Sequence, residues 1–318
     1  MVQNSLKDKI IALFTVAILF AVVGSLFYFI SLDNKNKTTA LRNLVIQLQR
    51  KKEITNNFKM VQMATSTLSG ITSRSFLTIA ITEDGQKKVI AERSPNLVLP
   101  IASITKLMVA VITMENIDPE TEVKATLDYI GKEESAFILE TDKKYTVREL
   151  LTNSLVSSDN DSARLLSSTM GEVNFIAKMN NKASELGLTN TSFVNVTGLD
   201  PAKITGKVNM STATDLANLL IYIKNNYPEI LKITAKPQYN FCDINGYCKM
   251  VLSTDKLIND DSFKYKIIGG KTGSTDLALK NLAIIISPIN GIYIVNIVLG
   301  ATDNFADTRS IINNIIYN

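Results

Sequence analysis

The longest apolar run lies near the start of the chain, where residues 10–32, IIALFTVAILFAVVGSLFYFISL, carry no charged side chain. At 1.5 Å per residue a helix of that length crosses a hydrocarbon core of about 30 Å, so a single transmembrane anchor over 10–32 is expected after a cytoplasmic stub at 1–9. A cleaved signal peptide is the rival reading. Its apolar region ordinarily spans about 7 to 15 residues, and no small-x-small cleavage site stands out here, which favours the uncleaved anchor. Lys7 and Lys9 precede the run while Lys35, Lys37 and Arg42 follow it, so basic residues alone do not orient it. Residues 33–68 are polar and basic, with helical periodicity in LRNLVIQLQRKKEI, and read as a juxtamembrane spacer.

Beyond the spacer the period changes. SFLTIAITEDGQKKVIAER alternates apolar and polar residues on both sides of Asp84-Gly85, which predicts a hairpin. After Pro100 the pattern turns helical. Thr146 with Glu149 forms a capping box, Gly171 and Gly187 are stops, and Thr212 with Asp215 opens a further helix. From about residue 233 strands return, with Asn290-Gly291 marking a second hairpin, and TRSIINNII closes the chain as a helix. The order predicts an α/β unit over 69–318, its antiparallel sheet assembled from both ends of the segment and flanked by helices, with an all-helical lobe inserted at about 101–230.

Composition narrows the chemistry. With 46% hydrophobic and 20% charged residues, the 318-residue chain is no disordered polymer. Histidine is absent, which excludes a His-based serine or cysteine hydrolase, a helical His-Glu-His zinc site and a His-ligated haem. Two cysteines, Cys242 and Cys248, are too few for an all-cysteine zinc site or an iron–sulfur cluster, so no metal or cofactor is expected. The net charge of +4 comes from 34 basic and 30 acidic residues scattered along the chain, a solvated surface and not a nucleic-acid-binding stripe.

Three short motifs stand in order: Ser103-Ile104-Thr105-Lys106, Ser158-Asp159-Asn160 and Lys271-Thr272-Gly273. Each is weak alone, for Ser253-Thr254-Asp255-Lys256 repeats the first spacing and Ser94-Pro95-Asn96 the second. Context separates the copies. Ser103 opens the apolar run ITKLMVAVITM, which places it at a buried helix start with Lys106 one turn on. Ser253 lies in the polar stretch STDKLINDD and reads as part of a solvated loop. A serine hydroxyl needs a base, and without histidine a neutral lysine one turn away can serve. Burial and a second cation, for which Lys271 is the candidate, would both lower its pKa.

In these motifs the chain resembles the penicillin-binding, active-site-serine D,D-peptidases, and among them the low-molecular-weight D-alanyl-D-alanine carboxypeptidases. PIASITKLMVAV, LLTNSLVSSDNDSARLL and GGKTGSTDLALKNLAII carry the resemblance, which spans about 75–318 with order and spacing intact. It implies a β-lactamase/transpeptidase-like fold. It implies Ser103 as the acylated nucleophile, Lys106 as its base, Ser158 as proton relay and Asn160 as holder of Lys106 and the substrate amide. Lys271 would set the local potential, Thr272 would bind the terminal carboxylate, and Gly273, Ser274 and Thr275 would complete the substrate-binding strand. The NH groups of Ser103 and Ser274 would form the oxyanion hole, and Arg309 falls near the family's carboxylate-binding arginine, a surface arginine on the last helix being the alternative. The implied partners are the peptidoglycan stem peptide, β-lactams as inhibitors and the membrane, through the N-terminal helix; no nucleic acid is implied. The implied location is the bacterial cytoplasmic membrane, with the catalytic unit outside.

Two features depart from the family. The second motif reads Ser-Asp-Asn, as in class A β-lactamases, yet the Glu-x-x-Leu-Asn segment of those enzymes is missing, since Glu185 is followed by LGLTNT. About 45 residues follow Gly273, too few for the C-terminal domain and amphipathic helix of many relatives, so anchoring would pass to the N-terminus. A membrane-bound β-lactamase and a non-catalytic cell-wall-binding protein are the alternatives. If Ile244-Asn245-Gly246 forms a three-residue hairpin loop, Cys242 and Cys248 face each other across the ladder and a disulfide is allowed, against a reduced pair in a cytoplasmic hairpin.

Overall fold

A computed structural model of the chain describes residues 21–23, 34–63, 69–131, 139–201 and 206–316. Apart from 21–23, the apolar run read as a membrane anchor lies outside the described residues, among which no helix is long and apolar enough to cross a membrane. The chain divides into two units, 1–56 and 57–318. In the first, the periodicity of the spacer is realised as helix α1, Asn34–Met60, whose sequence contains neither Gly nor Pro to break it and which ends just inside the second unit.

In the second unit, strands from both ends of the sequence build one five-stranded antiparallel sheet. A short ladder, β1 (Gln62–Met63) with the last strand (Ile315–Ile316), also joins the two ends. In the sheet, β2 (Ser75–Thr82) pairs with β3 (Lys87–Arg93) through the turn at Asp84-Gly85. Three later strands, Lys266–Thr275, Leu279–Ile289 and Ile292–Ala301, add to the other side of β2, the last of them beside it.

The alternation expected of the first hairpin is not seen as burial, because every residue of β2 is buried. Leu77, Ile79 and Ile81 enter the main core, while Phe76 packs on the opposite face with Val298 and Ile311. Thr78, on that second face, donates to Asn296 Oδ1 at 2.7 Å. An interior strand covered on both faces keeps its polar side chains only by pairing them, so here the alternation marks two packed layers and not a wet face.

The chain leaves the sheet at β4 (Leu99–Pro100) and returns at Met210–Ser211, and these two segments pair with each other at the neck of the inserted lobe. Within the lobe, α2 (Lys106–Asn116) is buried from Lys106 through Thr113, so its apolar residues face neighbours on every side. The lobe is not all-helical: β5 (Glu122–Lys124) pairs with β6 (Lys144–Thr146) where the chain turns into α3 (Val147–Val156). Both expected N-caps are formed. Thr146 Oγ1 accepts from Glu149 N at 3.2 Å and Thr212 Oγ1 from Asp215 N at 3.1 Å. The Glu149 carboxylate does not close the box. It accepts instead from Tyr239 Oη and Cys242 N, fixing a later hairpin to α3.

Two further lobe helices are α4 (Asn160–Ser168) and α5 (Glu172–Glu185). After β7 (Met210–Ser211) come α6 (Ala213–Asn226), α7 (Pro228–Thr234) and the hairpin β8 (Gln238–Cys242) with β9 (Cys248–Leu252). Asp243 and Tyr247 close its three-residue loop, Gly246 takes φ 81°, and Cys242 and Cys248 are joined by a disulfide. The sheet strands β10 (Lys266–Thr275), β11 (Leu279–Ile289) and β12 (Ile292–Ala301) then lead to α8 (Asn304–Asn313), capped by Asp303, and to β13 (Ile315–Ile316).

Candidate active site

The three motifs come from three elements and meet at the boundary of sheet and lobe. Ser103 sits in a 3-10 turn, Ala102–Thr105, that runs into α2. Ser158 lies in the turn between α3 and α4, Asn160 opens α4, and Lys271, Thr272 and Gly273 lie on β10. A cleft of about 520 Å³ opens over them, lined by Ser103, Ser158, Thr272, Gly273 and Ser274, with Thr254, Lys256, Lys280, Asp303, Asn304, Phe305 and Arg309 on its other sides.

The nucleophile turn is strained and tightly enclosed. Ala102 has φ 47° and Ser158 φ 63°, left-handed conformations that are uncommon for residues other than glycine and concentrate at functional sites. Two glycines make room for the first of these turns. A Cβ at Gly198 would lie 2.0 Å from Ala102 O, and one at Gly273 would lie 2.7 Å from Ile101 O. The last residue of Lys271-Thr272-Gly273 thus serves by letting β10 pass against the backbone of the nucleophile.

Lys106 is fully buried. Its Nζ lies 2.9 Å from Ser103 Oγ, 2.7 Å from Asn160 Oδ1 and 2.9 Å from Thr197 O. Burial holds its pKa well below the ordinary lysine value; the Lys271 charge lowers it further, Asp159 opposes and Arg164 adds to the depression. A neutral amine has two N–H donors and one lone pair. With Asn160 Oδ1 and Thr197 O taking the two donors, the lone pair is left for the Ser103 hydroxyl. The Thr197 carbonyl is set by a polar turn: Asn195 Oδ1 accepts from Gly198 N at 2.6 Å, and buried Asn209 ties that turn to Thr105 Oγ1 at 2.8 Å.

Lys271, also buried, donates from Nζ to Ser158 Oγ at 2.9 Å and to Thr272 O at 3.1 Å. Burial pulls its pKa down to about 7, a fall partly offset by Asp255. Ser158 therefore stands in the second lysine's hydrogen-bond shell. The Thr272 hydroxyl is 2.6 Å from Thr254 Oγ1.

One expected residue is differently placed. Thr275 is turned to the scaffold: its hydroxyl donates to Asp200 Oδ1 at 2.8 Å and accepts from Ala278 N at 3.2 Å, and it does not line the cleft. A side chain at the end of β10, next to the tight turn into β11, is used to tie that turn to the 195–200 loop. Arg309 lines the cleft as expected, and its Nε and Nη2 both donate to Asp260 Oδ2, at 2.8 and 2.5 Å.

The solvated loop expected at Ser253–Lys256 is also corrected. Thr254 and Lys256 form part of the cleft and Asp255 is buried, because Thr254 N donates to Val156 O at 3.1 Å and pins the segment beside the Ser158 turn. Ser94, of the second Ser-x-Asn, starts a turn after β3 and lies outside the cleft. The sequence alone does not single out the Thr197 carbonyl, Thr254 or Asp255. A backbone acceptor has no residue signature, and the other two lie in the copy of the motif whose polar sequence, STDKLINDD, predicts a solvated loop.

Residues 58–303 match the family described as D-alanyl-D-alanine carboxypeptidase. The chain is 33% identical over 204 residues to a D-alanyl-D-alanine carboxypeptidase of Mycobacterium tuberculosis, covering 64% of this chain and 66% of the relative. It is 31% identical over 236 residues to a D-alanyl-D-alanine endopeptidase of Pseudomonas aeruginosa, covering 71% and 73%. Among solved structures, a D-alanyl-D-alanine carboxypeptidase of Mycobacterium tuberculosis H37Rv superposes with TM-score 0.68 at 28% identity, over 80% of this chain and 94% of the other. Penicillin-binding protein D2 from Listeria monocytogenes, in its ampicillin-bound form, gives 0.67 at 27% identity, over 77% and 98%. A buried lysine set against a serine at the start of a helix, in a fold shared with these proteins, places the chain in the D-alanyl-D-alanine carboxypeptidase family, as a serine peptidase.

Proposed function

We propose that this chain is a membrane-anchored peptidase that removes the terminal D-alanine from peptidoglycan stem pentapeptides through an acyl-enzyme on Ser103. The observation that carries the reading is the buried Lys106 Nζ, 2.9 Å from Ser103 Oγ, with its two other contacts on fixed acceptors. Lys106 takes the hydroxyl proton as Ser103 Oγ attacks the carbonyl of the penultimate D-alanine. The NH groups of Ser103 and Ser274 hold the developing oxyanion, an interaction worth roughly 3 kcal/mol per donor in comparable sites. Ser158, bonded to Lys271, gives its hydroxyl proton to the leaving amine and takes one back from protonated Lys106, which returns to the neutral base, while Lys271 with Thr272 receives the terminal carboxylate. Water then cleaves the ester with the same base, returning free Ser103 and the shortened peptide.

The ring of a β-lactam presents a strained amide to the same serine, so β-lactams are proposed to acylate it; the Listeria relative in its ampicillin-bound form supports this. A class A-like β-lactamase is less well supported, since Glu185 is at the end of α5, paired with Lys182 and outside the cleft lining. The anchor at 10–32 and the extracytoplasmic location belong to the same proposal. The Cys242–Cys248 disulfide supports an oxidising compartment.

The test is incubation with a fluorescent penicillin and, separately, with a pentapeptide-bearing glycan fragment read by mass spectrometry. Covalent label and loss of one alanine are expected from the wild type and neither from Ser103→Ala. Equal label on both proteins contradicts the assignment, and cleavage of cross-bridges without loss of terminal alanine would point to endopeptidase action.

A further inference from the structure

The segment Ser253–Lys256 repeats the nucleophile's spacing without its surroundings, and it is held in place from three sides. Ser253 N donates to Pro237 O at 2.9 Å, Thr254 N to Val156 O at 3.1 Å, and the Thr254 hydroxyl meets that of Thr272 at 2.6 Å. Asp255 then caps a 3-10 turn, Lys256–Asn259, its Oδ1 accepting from Leu257 N at 3.0 Å. This leaves a carboxylate only 5% exposed, beside Thr254, whose hydroxyl touches that of Thr272, the chain neighbour of the equally buried Lys271.

We propose that Asp255 is a positioning residue of this peptidase: its buried carboxylate is the counter-charge that keeps Lys271 protonated, so that Lys271 and Thr272 can hold the terminal carboxylate of the substrate. The proposal rests on the function proposed above. Burial alone discharges a lysine, and a neutral Lys271 would offer a carboxylate only hydrogen bonds where a cation is needed. Lys271 is drawn down to about 7 by burial while Asp255 pulls the other way, and Asp255 is itself pushed up to about 6 by burial against the pull of Leu257 N–H and Lys271. Both charges are costly singly and each makes the other less so.

The other charges around Lys271 do not supply what Asp255 does. On the α2 side stands Lys106, which works neutral as the base and supplies no negative charge; Asp159 and Arg164 act on that lysine with opposite signs. On the cleft side stand Lys256, Lys280 and Arg309, with Asp303 the carboxylate among the cleft-lining residues.

The experiment follows D-alanine release from an N-acylated L-Lys-D-Ala-D-Ala tripeptide as a function of pH, for wild type, Asp255→Asn and Asp255→Glu. Asp255→Asn keeps an oxygen for the Leu257 N–H and removes the charge. Its alkaline limb of kcat/KM is expected to move acidward by about one pH unit, with KM at pH 8 rising up to about tenfold and kcat within about twofold. Asp255→Glu is expected to move the limb back toward the wild-type position. Should Asp255→Asn not fold, Asp255→Ser, whose hydroxyl can still cap the turn, gives the same readout. An unmoved limb, or an equal loss of rate at every pH, overturns the proposal and leaves Asp255 a scaffold residue. A wild type that neither releases D-alanine nor takes up penicillin overturns the underlying function, and this proposal with it; an active wild type with an unmoved limb in the variant overturns this proposal alone.

Discussion

Ser103–Lys106 and Ser253–Lys256 share a spacing and little else. In the first, the serine is in the turn entering a helix buried on all sides, and the lysine ends among Ser103 Oγ, Asn160 Oδ1 and Thr197 O. In the second, the serine accepts from Asp255 N at 3.1 Å and the lysine is exposed at the cleft edge. Spacing brings a serine and a lysine to one side of a turn in either copy. What makes a base of the lysine is desolvation together with acceptors that occupy its N–H groups.

Substitution at the two lysines gives the widest separation between the copies. Lys106→Arg, a side chain that stays charged, is expected to lower acylation by penicillin by about 10³-fold or more, while Lys256→Ala leaves it within a few fold, both read as second-order rate constants of labelling. Gly198→Ala attacks the surroundings of the first copy without touching its chemistry. At φ 85°, with Ala102 O in the way, it is expected to cost about 1–3 kcal/mol in backbone strain alone and to slow acylation; a thermal melt and a labelling rate measure the two.

The pH dependence sharpens the same contrast, because it reports charge states and not spacing. Lys106 works neutral, so activity is lost as pH falls through its depressed pKa. Lys271 works charged, so substrate capture is lost as pH rises through about 7. A bound carboxylate stabilises the Lys271 cation, so the alkaline limb of kcat is expected at higher pH than that of kcat/KM in steady-state profiles. The smallest effect on activity is expected from Cys242→Ser. It opens a short loop at the far end of the hairpin and should lower stability by about 2 kcal/mol in denaturant titrations, with activity retained.

Much of this arrangement was legible in the sequence. The two hairpins, the caps at Thr146 and Thr212 and the sheet built from both ends follow from period and turn residues, while the meeting of Ser103, Lys106, Ser158, Asn160 and Lys271 is what the family resemblance implies. The misses have physical causes. The alternation in β2 is the same whether its second face meets water or α8, and only the packed fold decides. The lobe's short ladders are two or three residues long, below what a period can reveal. Thr275 is placed by analogy of position, and in the fold its hydroxyl is engaged by Asp200, a carboxylate far away in the sequence.

The central claim, that burial and not spacing selects the nucleophile, is tested most directly by locating the adduct. Wild-type protein is saturated with a β-lactam, digested and mapped by tandem mass spectrometry. A single acyl adduct on Ser103, in the peptide that also carries Lys106, is the predicted result; an adduct on Ser253, or none on Ser103, would contradict it.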